Sequence, residues 1–319
     1  MKTPVPDDIL RVGNTLGECV LWHSQHNTLW WTDIQASRLH CYDWTTGDLQ
    51  TLEAPERIGS FGFVAASDSL ITAFASGIAL YDPRRPNSAE PAKLTAGFGL
   101  PLASLRWLAR PASSDPGVRF NDGRVDRRGR FWTGTMVEDN QPGARGCLYS
   151  LQGTGLQGSA QGAGEARCHI RDIRISNGLC FSPDGTQLYF ADSPTRIISA
   201  YDLIEPEGVL GARRTLVQTP ARSSPDGATV DADGCIWTAL WGAGCVVRYT
   251  PDGRLDRTLP VPVSQPSCVC FAGPNLDILC VTSTREGLDD SRLHDEPHAG
   301  DVFLYRVGTQ GLPESEYRA

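Results

Sequence analysis

A repeated hairpin frame constrains this chain more than any other feature. NGLCFSPDGTQLYFADS (177–193) and DGATVDADGCIWTALWG (226–242) share one order: a β-rich run, a PDG or ADG turn, and a second β-rich run. Such an order reads as an antiparallel hairpin. NDGRVDRRGRFWTGTM (121–136) fits it, as does ECVLWHSQHNTLWWTD (18–33) with weaker turns. SFGFVAASDSLITAF (60–74) and SCVCFAGPNLDILCVTS (267–283) are poorer copies, which makes six. Each hairpin is followed by a third β-rich run carrying a tyrosine: Tyr42, Tyr81, Tyr149, Tyr201, Tyr249 and Tyr305. Most copies leave room for a fourth, such as RRTLVQ (213–218) and RTLPVP (257–262). Four short strands recurring every ~40–60 residues mark a propeller blade. The expected fold is therefore an all-β, six-bladed β-propeller with four antiparallel strands per blade. It would form a single domain over residues 1–319 with short terminal extensions. A β-sandwich would also use short strands and Gly-rich turns, but six copies in one strand–turn–strand–Tyr order favour the propeller. No segment shows the capped 3.6-residue periodicity of a helix.

In a propeller the first strand of every blade lines the central channel, so equivalent positions converge. The residues that open these strands in the six copies are Glu18, Ser60, Asn121, Asn177, Asp226 and Ser267, and all carry a side-chain oxygen. Taken alone, RFNDGRVD (119–126) is turn chemistry, and Asn and Asp often serve only as caps. Capping does not require all six copies to be polar at one place. Two carboxylates, two carboxamides and two hydroxyls around one mouth suit a hard divalent ion such as Ca²⁺, Mg²⁺ or Mn²⁺, and do not exclude Zn²⁺ or Fe²⁺. The second strand returns to the same face, which makes Asp33, Thr135, Asp192, Trp241 and Arg285 further pocket candidates.

Composition narrows the partners. A net charge of −8 with no basic block argues against nucleic acid or anionic lipid. No apolar run reaches 18 residues and the start, MKTPVPDDIL, has no signal-peptide pattern, so neither a membrane span nor secretion is expected. Ten scattered cysteines without zinc-knuckle spacing read as reduced, small hydrophobes and a cytoplasmic location. GTGLQG (153–158) matches a dinucleotide fingerprint but lies in a Gly/Gln/Ala/Ser run without a βαβ context, and reads as a surface loop. His294 and His298 are four apart, yet Pro297 breaks any helix aligning them, so a loop lid is expected there. No Gly-x-Ser-x-Gly elbow is present. Trp22, Trp30, Trp31, Trp132 and Trp237 are expected in the core, while Trp241 could stack on a sugar ring.

LGE (16–18), RFNDGRVD (119–126), GTM (134–136), ISNGL (175–179), SPDG (224–227), IWTALWG (236–242) and AGDVF (299–303) occur in that order. Together they resemble the SMP-30/gluconolactonase/regucalcin family of sugar lactonases, over about residues 14–307, with IWTALWG closest in look to bacterial xylono- and arabinolactonases. The resemblance implies one divalent metal held by Glu18, Asn177 and Asp226, with Asp226 also the general base. It implies that Arg119 and Asn121 line the substrate pocket and that the substrate is a sugar lactone opened to the aldonic acid. Cys19 and Val20 stand where the family usually has Gly-Pro. Asp139 stands where some relatives place a substrate-binding Glu, and no role is carried over to it. A monomer or small homo-oligomer is expected. Two alternatives remain: a non-catalytic propeller binding calcium or a regulatory partner, and a related six-bladed hydrolase of phosphate esters or aromatic lactones.

Overall fold

The turn residues adopt the backbone that the hairpin frame requires. Gly129, Gly185 and Gly234 have φ of 85°, 73° and 80°, and Asn27 takes the same left-handed region in the first copy at 52°. Only glycine, and less readily Asn or Asp, enters that region without a Cβ clash. In a computed structural model, which describes residues 5–83, 105–111, 117–138, 145–153 and 166–319, these turns connect strands of six four-stranded antiparallel sheets. GTGLQG beyond Gly153, and Asp139, lie outside the described residues.

The innermost strands are Gly17–His23, Ile58–Phe63, Val118–Val125, Ser176–Phe181, Ser224–Val230 and Pro266–Ala272, in blades 1 to 6 respectively. Each packs on the next, and the sixth packs on the first, so the ring closes. All six repeat tyrosines lie in third strands. The fourth strand of blade 6 does not follow in sequence. Asp8–Leu10, from the N-terminal extension, pairs with Val302–Arg306 and joins the two ends of the chain in one sheet. That arrangement leaves no open seam between the first and last blades.

The core lies between blades. Trp22, Trp30, Trp31, Trp132 and Trp237 are all buried. Trp132 and Trp237 donate their indole N–H to Asp126 and Asp231, at 2.8 Å each. The same carboxylates take Arg130 at 2.6 Å and Arg248 at 2.7 Å, so each buried charge is paired. All ten cysteines are free thiols. One α-helix among the described residues departs from the all-β expectation. Asp290–Asp295 forms a short turn of α-helix whose first amides are capped by the Asp289 side chain, accepting from Arg292 N at 2.9 Å. No helix among the described residues is long and apolar enough to cross a membrane.

At the channel end away from the polar mouth, the C-terminal tail crosses beneath the blades. Glu314 grips the buried Arg124 guanidinium through both oxygens, at 2.6 and 3.1 Å, and Arg124 also donates to the Ala228 carbonyl. Further along, Tyr317 N donates to Phe63 O at 2.7 Å and Arg318 N to Gly129 O at 3.0 Å.

Candidate active site

Every innermost strand carries an irregularity at the position where the polar residue sits. Register with the second strand slips between Glu18 and Leu21, Ile58 and Ser60, Phe120 and Gly123, Asn177 and Cys180, Pro225 and Ala228, and Pro266 and Val269. An extra residue bends the strand and re-aims its side chains. In blade 1 the bend leaves Cys19 at φ 47°, and in blade 4 Gly178 takes φ 67°. A cysteine held there costs on the order of 1 kcal/mol that glycine would not.

The cavity takes only part of the six-membered ring. Glu18, Arg119, Asn121, Asn177 and Asp226 line one cavity of ≈ 290 Å³, with Leu16, Met136, Ile175 and Trp241 forming apolar wall. Ser60 and Ser267 do not line it. Ser60 Oγ meets Thr133 Oγ1 at 3.2 Å, and Ser267 Oγ donates to Gly17 O beside Thr282 Oγ1 at 3.0 Å. Both are fully buried packing contacts, which corrects the expectation of six converging oxygens.

The second-strand candidates divide similarly. Only Trp241 lines the cavity. Asp33 accepts the amides of Thr15 and Leu16 at 2.8 and 3.0 Å, and Asp192 accepts those of Arg174 and Ile175 at 3.2 and 3.0 Å. They hold the segments that present Leu16 and Ile175 to the cavity. Thr135 Oγ1 accepts Cys147 N at 2.8 Å, and Arg285 is exposed. Its neighbour Glu286 lines the cavity instead. His294 belongs to the short helix and His298 pairs with Asp301 at 3.0 Å.

A hydrogen-bonded chain fixes the pocket's polar wall. Arg119 Nη1 donates to Asn121 Oδ1 at 2.7 Å. Asn121 Nδ2 donates to Ser176 O at 2.9 Å and to Asn177 Oδ1 at 3.0 Å. Asn177 Nδ2 donates to Ser193 Oγ at 2.9 Å, which donates to Pro225 O at 2.8 Å. Both Asn121 donors are thus used within the protein, leaving one lone pair on Oδ1. On the other side, Arg119 Nε donates to Glu138 Oε1 at 3.1 Å, and Arg57 grips Glu138 through two bonds of 2.6 and 2.8 Å. Arg119 Nη2 has no acceptor among the described residues.

The carboxylates at the mouth are electrostatically stressed. Burial, and then the charge of Asp122, pushes Glu18 up to about 8. Burial, and then Glu18 and Asp122, pushes Asp226 well above the usual carboxylate range. Burial raises Asp122 itself to about 6, against the opposing amide bonds of Leu179 and Gly123 and the charge of Arg124. Neither Glu18 nor Asp226 has a cationic side-chain partner within ion-pair distance among the described residues. Sequence reasoning did not single out Asp122, Glu138, Arg57 or Glu286. Asp122 was readable beside Asn121 in RFNDGRVD, whereas the others come from segments with no repeat signature.

Residues 16–285 match the SMP-30/Gluconolactonase/LRE-like region. The chain belongs to this family. Among SMP-30/gluconolactonase relatives, 6-deoxy-6-sulfogluconolactonase of Pseudomonas putida is 37% identical over 309 residues, covering 96% of each chain. L-arabinolactonase of Azospirillum brasilense is 33% identical, covering 95% of this chain and 92% of the relative. A solved structure described as a calcium-binding protein, regucalcin, from Agrobacterium tumefaciens superposes with a TM-score of 0.85 at 29% identity, covering 100% of both chains. Cys19 takes its left-handed backbone within the bulge that presents Glu18.

Proposed function

We propose that this protein is a divalent-metal-dependent lactonase that hydrolyses a sugar (aldono-) lactone to the open aldonic acid. One observation carries the reading: Glu18, Arg119, Asn121, Asn177 and Asp226, from four separate blades, line a single cavity. The lactonase names of the relatives support the same chemistry. Metal ligation is proposed for Glu18, Asn177 and Asp226. This donor set fits a hard cation, since the half-buried Glu18 and buried Asp226 carboxylates, without a cationic partner among the described residues, line the same cavity as Asn177, whose carboxamide oxygen keeps a spare lone pair. Asn177 is the third ligand that the family resemblance implies; no group of three His, Cys, Asp or Glu placed to hold a metal ion occurs among the described residues. When bound, a divalent ion would polarise the lactone carbonyl and acidify water.

The remaining work belongs to the chain itself. Asp226 would act as the general base, taking a proton from the attacking water at the oxygen not engaged with metal. Arg119 is locked at Nε and Nη1, so Nη2 is its donor for a substrate oxygen, either a hydroxyl or the developing oxyanion. Asn121 acts chiefly by holding Arg119 and Asn177 in register. The apolar wall of Leu16, Met136, Ile175 and Trp241 excludes water from one face of the ring.

The test is a panel of pentono- and hexonolactones followed with a pH indicator, before and after chelation and with metals restored singly. Turnover lost on chelation and regained with one divalent ion is the expected result. Asp226→Ala should lose both metal affinity and turnover, and an alanine variant hydrolysing at the wild-type rate would end the proposal.

A further inference from the structure

The chain of contacts that begins at Arg119 ends on an acid with no part in the reaction above. Arg57, held by Glu138, donates from Nη1 to Gln35 Oε1 at 3.4 Å. Gln35 Nε2 donates in turn to Glu286 Oε1 at 2.6 Å. Glu286 follows the second strand of blade 6 and lines the same cavity as Glu18 and Arg119. Its backbone is anchored, because its amide meets Thr15 O at 3.0 Å and Thr284 Oγ1 at 2.9 Å. With the Gln265 carboxamide turned to satisfy both neighbours, its nitrogen donates to Glu286 O at 3.2 Å and its oxygen accepts Trp241 Nε1 at 3.3 Å. The belt then runs from blade 3 through the entry to blade 2 to blades 1, 6 and 5 around the mouth.

Glu286 is half-buried, with one carboxylate oxygen committed to Gln35. Oε2 has no hydrogen-bond donor among the described residues. A carboxylate accepts through both oxygens, so an anchored acid with one oxygen unused presents a built acceptor to the cavity. Its charge acts on Arg57 and on two groups lining the same cavity, Arg119 and Glu18. The two guanidiniums share Glu138, and Glu286 offsets their surplus charge. With a divalent ion balancing Glu18 and Asp226, the pocket keeps no spare cation for an anionic substrate.

We infer that Glu286 is a specificity-determining residue: Oε2 accepts a hydrogen bond from a substrate hydroxyl, and its charge turns away lactones carrying a sulfonate or carboxylate at that place. The inference rests on the lactonase reading and deepens it by naming the substrate class, an uncharged polyhydroxylated lactone. Gln35 is then a positioning residue that aims the carboxylate.

The experiment compares wild type, Glu286→Gln and Glu286→Asp on the preferred neutral aldonolactone and, in competition with it, on an aldonolactone ending in sulfonate or carboxylate. Loss of a charge-assisted bond predicts that Glu286→Gln raises KM roughly tenfold, with kcat changed less than about threefold. Removing the like charge should lower the preference for neutral over anionic lactone roughly tenfold or more. Glu286→Asp, which keeps the charge but shortens the reach, should raise KM while retaining the preference. Calorimetric metal affinity should match wild type in Glu286→Asp and fall by less than about threefold in Glu286→Gln, since Glu286 is the smallest of the charges acting on Glu18, which a merely structural role would not guarantee. A preference unchanged within about threefold in Glu286→Gln overturns the inference while leaving the lactonase reading intact. Wild type inert on every aldonolactone removes both.

Discussion

Glu18→Gln offers the sharpest physical test, because it separates what the mouth costs the fold from what it gains with metal. Burial and the charge of Asp122 raise the Glu18 carboxyl from 4.5 to about 8. Its folded value lies above the unfolded one, so its contribution to stability is complete below about pH 4.5. That contribution is lost as pH rises toward 8, as the unfolded chain releases a proton that the folded chain retains. From pH 4.5 to 7, at about 1.4 kcal/mol per pH unit, the loss approaches 3 kcal/mol. Water in the cavity and the coupling to Asp226 reduce it, so about 1–3 kcal/mol is expected. Gln keeps the shape and cannot titrate. In chelator, urea unfolding should find Glu18→Gln more stable than wild type by that amount at pH 7, and by less than about 1 kcal/mol at pH 5. With the proposed divalent ion, wild type should gain stability that grows with the logarithm of ion concentration, and the variant should not. A variant that is less stable than wild type in chelator, by the same margin at both pH values, would refute the argument.

Two further outcomes concern the scaffold. Glu314→Ala leaves the Arg124 guanidinium buried without its counter-charge and should cost about 3–5 kcal/mol in urea unfolding. Adding Arg124→Met should recover most of that loss, and a single-variant cost under about 1 kcal/mol would show that the tail does not neutralise the channel. His40 is packed on Trp31 with ring centroids 5.0 Å apart, and burial lowers it to about 4. Its folded value is depressed, so the stability it contributes is present above pH 6.5 and lost as pH falls toward 4, by up to about 3 kcal/mol. His40→Asn should flatten the pH dependence of the urea midpoint over that interval, and parallel wild-type and variant curves would contradict it.

The repeat made the blades legible because each hairpin is a local object. Turn residues such as Gly185 and Gly234 prefer the left-handed backbone wherever they stand, and period-2 burial needs only a sheet face. Glu18, Asn121, Asn177 and Asp226 could be found for the same reason, as they occupy one place in a repeated frame. Ser60 and Ser267 sat at that place too, yet their hydroxyls bond to strands of the neighbouring blades. Arg285 was expected in the pocket near the end of its strand, but the strand stops at Ser283, and Glu286, in the turn beyond it, lines the cavity instead.

By itself, then, the sequence determined the six strand–turn–strand–Tyr units, the closed count of six, and the oxygen-bearing residues of four inner strands. Tertiary structure alone decided how the ring closes, with Asp8–Leu10 completing the last blade, and how Glu314 reaches Arg124 across 190 residues of chain. It also decided which acids and cations share the cavity. Arg57, Glu138, Gln35 and Glu286 come from segments without a common pattern, and their charges become neighbours only when separate blades converge on one axis. Coulomb interactions depend on distance in space, which a repeat unit cannot encode for residues outside the repeat.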